Sequence, residues 1–171
     1  MCPRSGRELA KAWTVRGAPH VYRRTDLPSV AAAVEPFSDA DAGKRIYNAA
    51  KPLKAAGISN LAALNTVAAA MRSVVTEPMT KGDVSKKVTA KMEPPYLRFC
   101  RACKATHLFE MPFRLAALRG GLELTADTSP PVLGHLPRFK RAEACCRLSR
   151  RDGHGRQGAL ARRRRRGVGR R

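Results

Sequence analysis

The apolar positions of the chain change period several times, and each change marks an element. Between Ser59 and Val75, residues Leu61, Leu64, Ala68, Met71 and Val75 recur at three- and four-residue steps. They draw one helical face, and Ser59 stands where an N-cap belongs. The stretch SDADAGKRIYNAAKPLKAAG, residues 38–57, behaves the same way: Ile46, Ala50 and Leu53 share a face. Ser38 suits its N-cap, Asp39 and Asp41 suit the positive end of the helix dipole, and Gly57 suits the position after the last turn. Pro52 predicts a kink or break inside this helix. A third stripe runs through Val84, Val88 and Met92, with Lys86, Lys87 and Lys91 lying off it.

Other segments are shorter. RELAKAWTVRGAPHVYRRTDL starts helical and then turns extended: Trp13 and Val15 alternate with polar residues, the Gly17–Pro19 break follows, and Val21 and Tyr22 resume. Thr25 is placed to cap a helix over PSVAAAV. The Pro94–Pro95 pair ends the third helix. After it, ATHLFEM reads as a strand, FRLAALRGG as a short helix closed by glycine, and LELT as a second strand. That strand pair, following a three-helix array, has the shape of a wing. DTSPPVLGHLPR reads as a loop by composition.

A helix over 59–75, the short turn TEPMTKG and a second helix with a basic outer face together read as a helix-turn-helix. An ordinary helical hairpin with a solvated lysine face gives the same pattern. The fold class expected is therefore mainly α (α+β), a winged helix or helix-turn-helix with short β hairpins. It would occupy residues 7–137, ahead of a disordered basic tail over 138–171.

Charge narrows the choice of partner. The chain of 171 residues carries a formal net charge of +21, which favours polyanions, nucleic acid first. The charge is uneven: Arg138–Arg171 hold 14 basic and two acidic residues, leaving 20 basic and 11 acidic in the first 137. The tail has neither helical nor strand periodicity, and so reads as disordered. The first ten residues lack the apolar run of a signal peptide, and no stretch approaches transmembrane length. A cytoplasmic, reducing setting is expected, with no membrane partner.

Candidate chemistry is sparse. Five cysteines, an odd number, are expected as free thiols or ligands. Cys100-x-x-Cys103-x-x-x-His107 places three soft-metal ligands within eight residues. The fourth ligand is missing, because Cys145 and Cys146 are adjacent and lack the usual spacing. Buried thiols beside a strand histidine are the favoured alternative. Asp39 and Asp41 are explained by the helix dipole, and His20 beside its turn reads as structural. No phosphate loop occurs. No catalytic residue and no cofactor are assigned.

Five segments together carry a resemblance: AWTVRGAPHVYRRTDL, PFSDADAGKRIYNAAKPLKAAGI, EPMTKGDVS, EPPYLRFCRACKATHLFEMPFRLAALRGGLEL and TSPPVL. Over about residues 7–133 the chain resembles a bacterial winged-helix DNA-binding family related to DNA glycosylases that unhook interstrand crosslinks. The resemblance implies tandem winged-helix units gripping double-stranded DNA. TKGDVSKKVTAK occupies the helix-turn-helix place, which makes Lys81, Ser85, Lys86, Lys87 and Lys91 the DNA-contact candidates, mostly towards phosphates. Glycosylase relatives carry a Gln-x-Gln or Gln-x-Asp element shortly before the segment matching AWTVRGAPH. No such element precedes Trp13, and the nearest glutamine is Gln157. The implied function is DNA binding, with crosslink-type DNA glycosylase activity, or an inactive fragment of such an enzyme, as the alternative.

The tail departs from that family, whose members continue into another winged-helix unit. One allowed back-translation of LARRRRRGVGRR reads, one base on, as Trp-Pro followed by acidic and alternating apolar residues. This predicts a frameshift in a GC-rich gene between about Leu133 and Gln157.

Overall fold

The computed structural model describes residues 8–140. They form an α+β body in which six α-helices pack around and beside a five-stranded antiparallel sheet. In chain order the elements are β1 Leu9–Trp13, β2 Pro19–Arg23, α1 Leu27–Ala33, α2 Asp39–Ile46, α3 Ala50–Ala55, α4 Asn60–Val74 and β3 Met79–Thr80. Then follow α5 Lys81–Thr89, β4 Leu97–Cys100, β5 Ala105–Leu108, α6 Glu110–Arg119, β6 Leu122–Leu124 and β7 Val132–His135. The sheet runs β2-β1-β6-β7-β3, and β4 and β5 form a separate hairpin. Among the described residues no helix is long and apolar enough to cross a membrane.

Helix α4 is the spine. Ala63, Leu64, Val67, Ala68, Ala70, Met71 and Val74 are all buried, against α2, α3, α5 and α6. Its predicted cap is in place, the Ser59 hydroxyl accepting from the Ala62 amide. Ser38 likewise caps α2 through the Asp41 amide. Gly57, at φ +70°, closes α3: its amide bonds Lys54 and the Ile58 amide bonds Leu53, a Schellman end. The predicted helix over 38–57 is broken, but at Tyr47 (φ 52°) rather than at Pro52. Pro52 sits in the first turn of α3, where a missing amide costs no helical bond.

Several expectations are corrected. The segment from Leu9 is a strand from the start, because Ala10, Ala12 and Trp13 are buried in an internal strand between β2 and β6. Thr25 does not cap α1; its hydroxyl reaches Asp26. The turn between α4 and α5 contains β3, which pairs with β7, so the two helices are joined through the sheet. Helix α5 starts two residues early, at Lys81, capped by Thr80. ATHL and LELT are not partners: ATHL pairs with Leu97–Cys100, while LELT pairs with β7 and β1. Phe109 and Glu110 leave the predicted strand to begin α6. The supposed loop 127–138 contains β7, whose Leu133 is fully buried.

Leu133 and Leu136 belong to the core, so the start of the interval predicted for a frameshift lies within the folded body. The expectations for residues 141–171 lie outside the described residues.

Helices α4 and α6 approach unusually closely at Gly120. A Cβ there would meet the Ala68 carbonyl oxygen at 2.8 Å, a backbone atom that cannot swing aside. Gly120→Ala is expected to lower stability by about 1–3 kcal/mol, read as a lower urea midpoint with an unchanged slope.

Candidate nucleic-acid interface

Helix α5 presents Val84 and Val88 to the core and leaves its other faces outward. Lys86, Lys87 and Lys91 are exposed and Ser85 is half-buried. Lys86 and Lys87 border an open groove lined also by Glu77, Pro78, Met79, Thr80 and Asp83. Lys91 Nζ donates to the Ser73 hydroxyl at 3.3 Å, which ties it to the end of α4. Lys81 stands apart: its ammonium lies 2.6 Å from Glu110 Oε1. Of the five predicted contact residues, Lys86, Lys87 and Lys91 are therefore exposed, Ser85 is half-buried, and Lys81 is paired with Glu110 of α6.

Glu110 serves two cations. Arg114, one turn on, reaches the same oxygen at 2.5 Å. Arg114 also donates to the Gly17 carbonyl and lies over the Trp13 ring, 5.6 Å from its centroid. Burial by itself pushes the Glu110 carboxyl up. The hydrogen bonds from Lys81 and Arg114 outweigh it and hold the group below its ordinary value.

The β4–β5 hairpin stands beside α5. The Leu108 amide donates to the Thr89 hydroxyl, and the Phe109 amide to the Tyr96 carbonyl. Its tip carries exposed Arg101 and Lys104, and Arg98 lies lower on β4. Sequence reasoning passed over these three cations, although RFCRACK displays them within seven residues. A hairpin not seen as a hairpin gave no reason to group them with α5.

At the same tip lie the three predicted metal-ligand candidates. One ligand atom each from Cys100, Cys103 and His107 falls within 4.8 Å of the others. The thiols are not buried: Cys103 is exposed and Cys100 half-buried, so the buried-thiol expectation is corrected, because the turn projects from the body. The Cys103 amide, then His107 and the Cys103 thiol, all hydrogen-bond Cys100 and bring its pKa down to about 6. The neighbouring Cys100 sulfur pushes the Cys103 thiol up. The Leu108 carbonyl, accepting from His107 Nδ1 at 2.8 Å, holds the imidazole above its usual range.

His20 is exposed, on β2. Its Nδ1 donates to the Ala18 carbonyl at 3.0 Å and approaches the Thr14 hydroxyl at 2.8 Å, which in turn meets Tyr22 OH at 2.9 Å. With Nδ1 so used, the histidine is held by its own hairpin. Asp39 and Asp41 are structural too, binding the Leu61 amide and Arg45 respectively.

A family model described as DNA glycosylase AlkZ-like matches residues 4–169. The chain belongs to the AlkZ-like DNA glycosylase family. Its work is thus DNA-related, as the five resembling segments implied, and the match extends past the end of that resemblance into the tail. No curated protein and no solved structure matches the chain. Among the described residues of this AlkZ-like chain, Lys86, Lys87 and Lys91 and the hairpin cations Arg101 and Lys104 are exposed.

The Glu110 bridge makes a pH-dependent contribution. Because its folded pKa lies below the unfolded one, its contribution is present above that unfolded value and is lost as pH falls. Glu110→Gln is expected to cost roughly 1 kcal/mol at pH 7, no more, since the side chain is 35% exposed. The difference from wild type should shrink as pH drops below 4.5, the carboxyl's ordinary value, in paired denaturant titrations.

Proposed function

We propose that the chain acts on double-stranded DNA as a member of the crosslink-repair class of glycosylases, gripping the duplex through α5 and the β4–β5 hairpin. The observation that carries this reading is the exposure of Lys86, Lys87 and Lys91, together with Arg101 and Lys104 on a hairpin whose β5 strand packs against α5, in a chain whose family is AlkZ-like over nearly its whole length. A winged-helix description suits the body from α4 onward. Helices α5 and α6 contact the strands β3, β6 and β7, α4 packs against both of those helices, and β6 and β7 form a hairpin. The loop of that hairpin carries Asp127 and no cation, so the basic β4–β5 arm is the better partner for phosphates. Lysines at these positions neutralise phosphates and release counterions, which sets affinity and register without reading bases.

A second reading is DNA binding without base excision. It is favoured by one observation: Gln157 is the only glutamine of the chain, so the Gln-x-Gln or Gln-x-Asp element of the glycosylases has no counterpart near Trp13.

Two measurements on the full chain test the grip and then separate the two readings. Duplex affinity should fall along a salt series, and the triple variant Lys86→Ala/Lys87→Ala/Lys91→Ala should flatten the log–log slope by about 0.9 for each phosphate that is no longer neutralised. The basic tail is common to both proteins and cancels in the comparison. An unchanged slope and affinity would remove α5 from the interface. Release of a base from alkylated or crosslinked duplex establishes the glycosylase reading, whereas binding without release leaves the second.

A further inference from the structure

The β4–β5 hairpin ends in a side-chain cluster that the DNA reading does not use. Cys100 closes β4, Cys103 lies in the four-residue turn 101–104, and His107 stands on β5 opposite Arg98. In the antiparallel register Cys100 faces Ala105, so His107 is its diagonal neighbour on the same face of the ribbon. Lys104 takes a left-handed conformation (φ 50°) that reverses the chain.

We infer that Cys100, Cys103 and His107 bind a soft divalent cation of the zinc class, with the fourth position left to solvent or to a partner's ligand. Three features of the geometry carry this. The two sulfurs are 3.5 Å apart, close to the ~3.8 Å that two thiolates reach at 2.3 Å from a tetrahedral zinc. All three ligand atoms lie within 4.8 Å of one another, so one ion satisfies them with side-chain adjustments alone. The His107 ring is already oriented: a carbonyl can only accept, so Nδ1 carries the proton given to Leu108, and Nε2 is the nitrogen available to a metal once its own proton is displaced. A metal-binding histidine is ordinarily held in this way by a partner on its other nitrogen.

The chemistry of the donor set selects the metal. Two thiolates and an imidazole suit zinc over magnesium or calcium, which take oxygen ligands. Among the described residues no fourth Cys, His, Asp or Glu joins the group. Binding displaces the two thiol protons and takes the imidazole neutral. The ion would cross-link both strands of the ribbon and its turn. A two-stranded hairpin is marginal by itself in water, and this one exposes Phe99 at 65% near its tip. The inference is independent of how the chain uses DNA.

The test uses the full chain, purified reduced and without chelator. One zinc per chain is expected on release to a chromophoric chelator, and cobalt should replace it with the thiolate charge-transfer and tetrahedral d–d bands. Cys100→Ser, Cys103→Ser and His107→Asn should each lose the ion and the bands, while Cys145→Ser/Cys146→Ser keeps both. Circular dichroism of each variant shows whether it has folded. Zinc should also slow tryptic cleavage at Arg101 and Lys104 in wild type and not in Cys103→Ser. The inference is overturned if the reduced wild type takes up neither zinc nor cobalt, for instance because it forms only a Cys100–Cys103 disulfide on oxidation. It is also overturned if Cys103→Ser or His107→Asn binds as wild type does, or if the Cys145/Cys146 variant is the one that loses the metal.

Discussion

Helix α6 is where the layers of this protein are held together, and its contact with α4 at Gly120 is the constraint on which the rest depends. With no side chain at Gly120, the end of α6 rests directly on the Ala68 carbonyl, and Arg72 of α4 donates to the Gly120 carbonyl at 3.0 Å. That approach sinks Phe113, Ala116 and Ala117 into the core. It also places three charged side chains of α6 where they reach different elements. Glu110 takes Lys81 of α5, Arg114 takes the Gly17 carbonyl and the Trp13 ring, and Arg119 takes Glu35 together with Leu61 and Asn65 of α4. The Glu110 pairs, about a third exposed, are each worth little, whereas the Arg119–Glu35 pair is largely shielded from solvent. Spread along one buried helix they set the angle at which α5 and the β1–β2 hairpin meet the core.

This arrangement explains why the lysines of α5 are not equivalent. Lys81 lies in the first turn of α5 and faces α6, so its charge is spent on Glu110 within the protein. Lys86 and Lys87 lie a turn or more further on, past the buried Val84, exposed along the groove bordered by Glu77 and Asp83. A solvated lysine keeps its full charge for a distant polyanion, whereas one in an ion pair contributes mainly to position. Lys81 thus orients the helix, and the exposed lysines carry the attraction that the proposed grip requires.

What could be read from the sequence follows from how local each signal was. Ser38, Ser59 and Gly57 act on backbone groups within three or four residues of themselves, and their capping roles were legible. The stripe of α4 was legible because Leu64 and Met71 mark its buried face and its length gives the period time to repeat. The strand Leu9–Trp13 was not: Ala10, Lys11 and Ala12 favour helix, and only pairing with β2 and β6 makes the buried alternation of the two alanines visible. The same holds for Val132–His135, whose Pro- and Ser-rich neighbours signal a loop while β6 and β3 supply its hydrogen bonds. In the site, the lysine row was visible as residues lying off an apolar stripe. The Arg98–Lys104 cluster was hidden because its meaning depends on β4 and β5 being partners.

That hairpin also shows how a short ribbon can be ordered without a core of its own. Its base is secured by Leu108 and Tyr96, both buried, and by the Thr89 contact. Beyond Leu97 the alternation that would anchor a ribbon fails: Phe99 points to solvent, and the turn holds cations and thiols in place of apolar residues. Four residues per strand bury too little to offset the entropy of holding the tip still. A tip of this composition must either stay loosely held or be closed by something other than hydrophobic contact. Three ligand atoms already gathered at its end, with the imidazole oriented by the adjoining carbonyl, supply the second route. With the inferred ion bound, the cations of that tip would stand on a rigid support, and a rigid support loses less entropy on binding a polyanion.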